Sequence, residues 1–321
     1  MKTLQQFRHS SQMGRMTIAL IILVVVYAGL VRVLPLPEVV ATSVALAGIC
    51  WGALTWRASI VRHSRALHET RAVLRTVERA LMRPIPPRIG VLRAESRYLA
   101  ADAEAQVGGD MCDLVSTRFG ARLLIGDVMG KGLPTVNLAA DLLGAFRELA
   151  RHETTLTGLA ERLDGVAHGD RFTTAILAGF PEEAEAAEVV TCGHPPPVLL
   201  RGDQATFVDA LPPALPLGLL DLDEDRCATN VVPLRLGDRL LFYTDGVTEA
   251  RDSQGRFFPL ADHLTALVRQ DSDSLLDDLV ARLVEHAGGR RHDDAALLLV
   301  QYCPQPSRNP HHWSKAGGSR G

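Results

Sequence analysis

The chain lacks the features that mark several common protein classes. Its 321 residues include five cysteines, Cys50, Cys112, Cys192, Cys227 and Cys303, and no two have CxxC spacing. An odd, scattered set of thiols excludes a disulfide scaffold and a zinc ribbon, and fits a body kept in the cytosol. There are no internal repeats and no glycine periodicity, and the composition excludes collagen-like and disordered classes. The formal net charge of −3 offers no general basic surface for nucleic acid. Lysine is scarce, and Lys131 is the single lysine between 94 and 303. Its Gly130-Lys131-Gly132 setting lacks the P-loop pattern, so a phosphate contact and a turn or helix-entry role both stand open.

Hydrophobic residues make up 47% of the chain, and the mean hydropathy of +0.08 is high for a cytosolic enzyme. The excess is concentrated near the N-terminus. From Met16 to Leu34 only Thr17, Gly29 and Arg32 are not hydrophobic, and a weaker run follows from Glu38 to Trp56. Each approaches the roughly 20 apolar residues that a spanning helix needs. The two runs, 16–34 and 38–56, are therefore expected to form a two-helix transmembrane hairpin around Pro35-Leu36-Pro37. Lys2, Arg8 and Arg15 precede it and Arg57, Arg62, Arg65 and Arg71 follow it, while the turn has no basic residue. The positive-inside rule then puts the tail 1–15, the C-terminus and the catalytic domain in the cytoplasm of a multi-pass membrane protein. Ala45-Leu46-Ala47 resembles a signal-peptide cleavage site, but the apolar stretch before it is too long and is broken by proline.

The connector from Arg57 to Arg93 holds nine arginines and two acids. Ile60, Leu67, Leu74 and Leu81 recur every seven residues until Pro84, which predicts a basic linker helix over 57–84. The complementary heptad positions are mostly polar, so its stripe is a candidate homodimer seam and not a strong coiled coil. The stretch 304–321 reads as a disordered tail.

Between 94 and 303, strand-like runs at Arg122–Gly126, Thr173–Phe180, Glu188–Thr191, Pro197–Leu200, Arg239–Thr244 and Ala295–Val300 alternate with helical patterns at Leu138–Leu149 and from Ser274. This is an α/β (α+β) pattern of helix layered on sheet. Carboxylates gather at the strand ends, in Gly108-Gly109-Asp110-Met111-Cys112-Asp113, Gly126-Asp127-Val128, Thr244-Asp245-Gly246 and His292-Asp293-Asp294. One Asp beside a Gly is ordinarily a turn residue. Four such sets, each abutting a strand, point to hard divalent cations, which prefer carboxylate oxygens and can activate water.

In order along the chain stand Gly108-Gly109-Asp110-x-x-Asp113, Gly126-Asp127-Val128-Met129-Gly130-Lys131-Gly132, Phe172-Thr173-Thr174, Gly193-His194-Pro195-Pro196-Pro197, Leu215-Pro216-Leu217-Gly218, Gly237-Asp238, Tyr243-Thr244-Asp245-Gly246-Val247-Thr248-Glu249-Ala250 and Asp293-Asp294. This ordered set resembles the SpoIIE-like branch of the metal-dependent PPM (type 2C) protein Ser/Thr phosphatases, the group that includes regulators of anti-sigma-factor antagonists. The resemblance covers 85–303. It implies an α-β-β-α sandwich with two Mn²⁺ or Mg²⁺ ions between the sheets. Asp127 would bridge both ions, with the Val128 carbonyl on one of them. Asp110 would reach the centre directly or through water, and Asp245 and Asp293 would each ligate. Asp113, Asp294 and Gly246 would sit behind these ligands or at an optional further ion. A metal-bound water would attack phosphorus, so no Ser or Cys nucleophile is required. The implied partner is a phosphorylated regulatory protein of the anti-sigma-factor-antagonist type, and nucleic acid is not implied.

The chain departs from the family pattern at Cys112, where an aromatic residue is frequent, and at Ala296, where a Thr is frequent. These departures leave room for a second reading, a docking module that binds a phosphoprotein without hydrolysing it. The Asp277-Asp278 pair falls in the first turn after Ser274 and reads as structural. His292-Asp293 alone is a weak sign of a His-Asp phosphohydrolase, because that chemistry needs further His ligands. His194 with its three prolines reads as a rigid loop that shapes the site.

Overall fold

The computed structural model describes residues 82–100, 108–167, 169–182, 184–208, 214–222, 227–268, 272–289 and 293–304, together with 29, 35, 37, 40, 41, 43–45, 47–57 and 59. The chain divides into two compact units, Met1–Thr70 and Arg71–Gly321. In the first unit residues 47–57 are helical, and Ile49, Trp51, Leu54 and Trp56 are exposed. Among the described residues no helix is long and apolar enough to cross a membrane. Nearly all of the first expected span, most of the linker helix and nearly all of the tail from 304 lie outside the described residues.

The second unit contains two antiparallel sheets. Arg88–Ile89 (β1), Leu92–Leu99 (β2), Val198–Arg201 (β7), Gln204–Phe207 (β8), Arg239–Tyr243 (β10) and Ala295–Tyr302 (β11) form one, in the order β1-β2-β11-β10-β7-β8. Asp110–Thr117 (β3), Gly120–Val128 (β4), Thr173–Phe180 (β5), Ala186–Cys192 (β6) and Asn230–Pro233 (β9) form the other, in chain order. Helices Leu133–Leu149 (α1) and Leu156–Asp164 (α2) cover the second sheet. A short turn of helix, Asp245–Thr248 (α3), follows β10, and Leu260–Leu267 (α4) and Ser272–His286 (α5) cover the first sheet. The expected α-β-β-α layering is thus present in the described residues.

Period-two alternation explains the layers. On β4, Ala121, Leu123 and Ile125 face the other sheet, while Leu124 and Val128 face α1 and α2. On β11, Ala296, Leu298, Val300 and Tyr302 point into the same inter-sheet core, and Ala295, Leu297 and Leu299 pack beneath α4 and α5. Such strands are apolar on both faces because both faces are covered. The stripe predicted for α5 is real, with Leu276, Leu279 and Leu283 buried. Asp277 is structural as expected, through an ion pair to Arg97 on β2 at 2.7 Å.

Besides Asp127 near its end, one polar side chain breaks the apolar rule on β4. Arg122 is buried and faces the helix layer, where its guanidinium donates to the carbonyls of Ala150 at 3.0 Å and Thr154 at 2.9 Å, and also to that of Glu153. The first is the carbonyl just past the end of α1, which the helix leaves without a partner, and the other two lie in the turn between α1 and α2. Replacing Arg122 by Met should leave them unpaired and cost about 2–4 kcal/mol in chemical denaturation.

Candidate active site

The inter-sheet core ends abruptly at one edge, on five strands. Its last apolar residues at one edge are Cys112, Ile125, Ile176, Phe242 and Ala296. Two residues further along each strand, on the same face, stand Asp110, Asp127, Thr174, Thr244 and Asp294. Asp110, Asp127 and Thr174 lie in one cross-strand row, since Asp110 pairs with Asp127 and Asp127 with Thr174. Alternation that builds an apolar layer along most of the strand therefore presents a polar layer at its mouth.

The facing carboxyls of Asp110 and Asp127 lie within hydrogen-bonding reach of each other. The Thr244 hydroxyl donates to Asp110 Oδ2 at 2.7 Å and accepts from the Ala296 amide at 2.9 Å, so it ties the two sheets together at the carboxylate. Burial, then Asp127, holds Asp110 well above the usual carboxylate range. Burial also pushes Asp127 up to about 7, with Asp245, Asp293 and Asp294 adding repulsion. Asp245, the first residue of α3, is raised by burial and then by Glu249 and Asp293. A cation facing this group is Lys131, whose ammonium lies 3.2 Å from both oxygens of Asp293.

Five of the expected carboxylates are thus brought into mutual electrostatic range, and their roles separate. Asp294 is buried, and its carboxylate accepts from the Gly108 amide at 2.8 Å, which fixes the start of the segment carrying Asp110. Asp293 is half-exposed and turned to Lys131. Asp113 does not join them. It lies three residues from Asp110 on a strand, hence on the opposite face, where its carboxylate pairs with Arg147 of α1 and accepts from the Leu114 amide. Gly246 acts through its backbone, since a Cβ there would collide with the Asp294 carbonyl. Val128 is fully buried at the end of β4, and a Cβ on Gly109 would fall 2.5 Å from its carbonyl oxygen. Among the described residues no group of three or more His, Cys, Asp or Glu side chains stands in an arrangement that would hold a metal ion as it is.

His194 bridges the sheets. Its Nε2 lies 3.0 Å from the Tyr243 carbonyl, which can only accept, so Nε2 carries the proton and Nδ1 accepts from the Thr174 hydroxyl at 2.9 Å. Burial lowers its pKa to about 4. The ring is neutral and fully bonded, which supports a shaping role.

Several contributors escaped the reading of the sequence. Thr244 stands inside a recognised motif, but its link to Asp110 needs the sheets to be stacked. Arg171 donates to the Met129 carbonyl at 2.9 Å and pins the loop after β4, a pairing with no local signal. The two departures from the family pattern meet in space. Cys112 and Ala296 line one cavity of about 220 Å³, together with Ile85, Ser96 and Tyr98. Small side chains at both positions leave that volume open just below the carboxylate layer.

This architecture, two face-to-face antiparallel sheets between helix layers, is that of the PP2C-type phosphatase domains. A family model described as Stage II sporulation protein E (SpoIIE) matches residues 118–302, more than half of the chain, and the chain belongs to that family. It is 24% identical over 205 residues to the phosphoserine phosphatase RsbU of Bacillus subtilis, covering 61% of this chain and 60% of that one. The chain thus spans about three fifths of this relative's length. Among solved structures it resembles the RsbU and RsbW domains of a Mycobacterium tuberculosis protein, with a TM-score of 0.58, 26% identity, and coverage of 68% of this chain and 62% of that one. The SiaA-PP2C domain of Pseudomonas aeruginosa shares the fold, with a TM-score of 0.62, 16% identity, and coverage of 75% and 98%.

Two outcomes follow from this geometry. Gly246→Ala forces the Asp294 backbone away and should cost more than about 2 kcal/mol in thermal unfolding, far beyond the few tenths typical of an exposed site. His194 has a folded pKa below its unfolded value near 6.5, so the folded state refuses a proton that the unfolded state accepts. Its contribution is full above that value and declines as pH falls toward about 4, by up to about 3 kcal/mol. Asp110 and Asp127 contribute with the opposite sign, so the measurement is the difference in urea stability between wild type and His194→Gln from pH 7 to pH 4.5. That difference should shrink on acidification.

Proposed function

We propose that the protein is a metal-dependent protein serine/threonine phosphatase, with Asp110, Asp127, Asp245, Asp293 and the Val128 carbonyl holding two Mn²⁺ or Mg²⁺ ions. The observation that carries this reading is the crowding of carboxylates at the mouth of the inter-sheet core, where burial and repulsion raise Asp110, Asp127 and Asp245 together. Every donor is a hard oxygen, and a divalent cation relieves this repulsion. Bound ions would supply a water of lowered pKa as nucleophile and offset charge on the phosphoryl oxygens. The chain's own groups arrange the rest. Thr244 orients Asp110, and Asp294 fixes Gly108. The Lys131 ammonium, partly exposed beside Asp293, is placed to meet an anionic phosphoryl group. His194 has both ring nitrogens engaged and so is not the general base.

Membership of the SpoIIE family, and the phosphoserine phosphatase activity for which RsbU is named, support a phosphorylated regulatory protein of the anti-sigma-factor-antagonist type as substrate. The two apolar runs, and the large apolar side chains exposed on residues 47–57, support anchoring in the cell membrane with the body in the cytoplasm. The basic linker stripe supports pairing of two copies.

The full chain should release phosphate from a phosphoserine peptide with Mn²⁺ and stop on chelation. Asp127→Asn and Asp245→Asn should each lower turnover by about 100-fold or more. A wild-type protein that binds the phosphorylated partner but leaves its phosphate in place would instead be a docking module. A second readout is independent of turnover. A raised carboxylate pKa contributes stability at low pH that is lost as pH rises through the folded value, here about 7 for Asp127. In chelator at pH 8, Asp127→Asn should therefore unfold at a higher temperature than wild type, and it should lose the stabilisation that Mn²⁺ gives wild type.

A further inference from the structure

Cys192 and Cys227 are separated by 35 residues, yet their sulfurs lie 3.6 Å apart. Both belong to the apolar cluster between the second sheet and its helices, where Cys192 is fully enclosed and Cys227 is 8% exposed. Backbone contacts hold the Cys192 side of the pair. Cys192 ends β6 and bridges Ala214, while the next amide, of Gly193, donates to the Ala214 carbonyl at 2.9 Å. Asp164 at the end of α2 then accepts from the amides of Gly218 at 2.6 Å and Leu220 at 3.1 Å, holding the following segment against the helix layer. A disulfide needs the sulfurs at about 2.05 Å, a further approach of roughly 1.5 Å shared between two side chains. We propose that Cys192 and Cys227 are a redox-modification site that closes to a reversible disulfide under peroxide.

Cys227 is the first to react. It is the more accessible of the two, and the sulfur–sulfur hydrogen bond with Cys192 lowers its pKa from the usual thiol value. Cys112 is unlike it, because burial and then Asp113 push that thiol far above the usual range. The Cys227 thiolate attacks one peroxide oxygen, forming S–O as O–O breaks, and the departing hydroxide takes up a proton to become water. Cys192 then attacks the resulting sulfenic sulfur, forming S–S as S–O breaks, and a second water leaves with the Cys192 proton. Two thiols lose two electrons and one hydrogen peroxide gains them. In a reducing compartment such a bond is transient, which suits a sensor better than a structural staple. Cys192 lies two residues before His194, so closure stiffens the strand end from which the inter-sheet bridge starts.

The test is graded hydrogen peroxide on the full chain, followed by non-reducing peptide mapping and thermal unfolding. The expected result is a Cys192–Cys227 cross-linked peptide, a melting temperature raised by roughly 5–10 °C, and reversal of both by dithiothreitol. Cys227→Ser should lack the shift. Mapping of wild type alone decides the matter if that variant folds poorly. Cross-links from Cys227 to Cys50, Cys112 or Cys303, sulfinic acid at Cys227 without a cross-link, or both thiols still reduced when Cys303 is oxidised would each overturn the proposal.

Discussion

The structure depends on the stacking of two sheets whose inner faces are apolar until the last inward residue. Stacking Leu123, Ile125, Ile176, Phe242 and Leu298 against one another removes water from the space between the sheets. The same stacking brings Asp110, Asp127 and Asp294 together at its open end. No local preference would place five carboxylates there, because each gains by moving apart. The apolar layer outweighs that repulsion, since inner strand residues beyond the mouth contribute roughly 1.5–3 kcal/mol each when buried. The core therefore holds the site in a configuration of high charge density, with hydroxyls and amides as the fine adjustment.

Those adjustments are made almost entirely across element boundaries. Thr244 of one sheet serves Asp110 of the other. His194, leaving β6, joins Thr174 on β5 to the carbonyl that ends β10. Asp294 reaches the Gly108 amide, and Lys131 reaches Asp293. Each link has one end on each sheet or on a loop leaving it, so separating the sheets would dismantle the carboxylate geometry. This is a polar network of the kind that is strong when complete and costly when broken.

Much of this was legible in the residues. Thr173–Phe180 is legible in its apolar run with the boundaries the structure gives, and the helix with the Leu138–Leu149 stripe and Pro134 in its first turn spans Leu133–Leu149. Carboxylates from the acidic sets adjoining strands lie together at one end of the core. β2 was missed because Arg93, Glu95 and Arg97 interrupt it; their charged heads sit on the side where α5 provides Asp277. β3 was hidden for a related reason, since Asp110 and Asp113 read as a loop after two glycines until the neighbouring strand supplies a register. Strand geometry also corrects the expectation for Asp113, because a spacing of three changes face in a strand, whereas in a helix it would keep the same face. The ion pair with Arg147, and the hydroxyl bridge of Thr244, belong to contacts between distant segments and have no sequence signal of their own.

The glycine at 246 has a consequence for redesign of this centre. The first turn of α3 rests directly on the backbone of residue 294, with no room for a single carbon between them. Asp245 and Asp294 thus ride on one welded block, and neither can be repositioned without the other. The opposite sheet is built the same way: a Cβ on Gly109 would fall 2.5 Å from the Val128 carbonyl oxygen, and one on Gly126 would fall closer still to that of Thr174. Both jaws of this mouth are therefore set by backbone resting on backbone, and its spacing can be retuned only through the side chains.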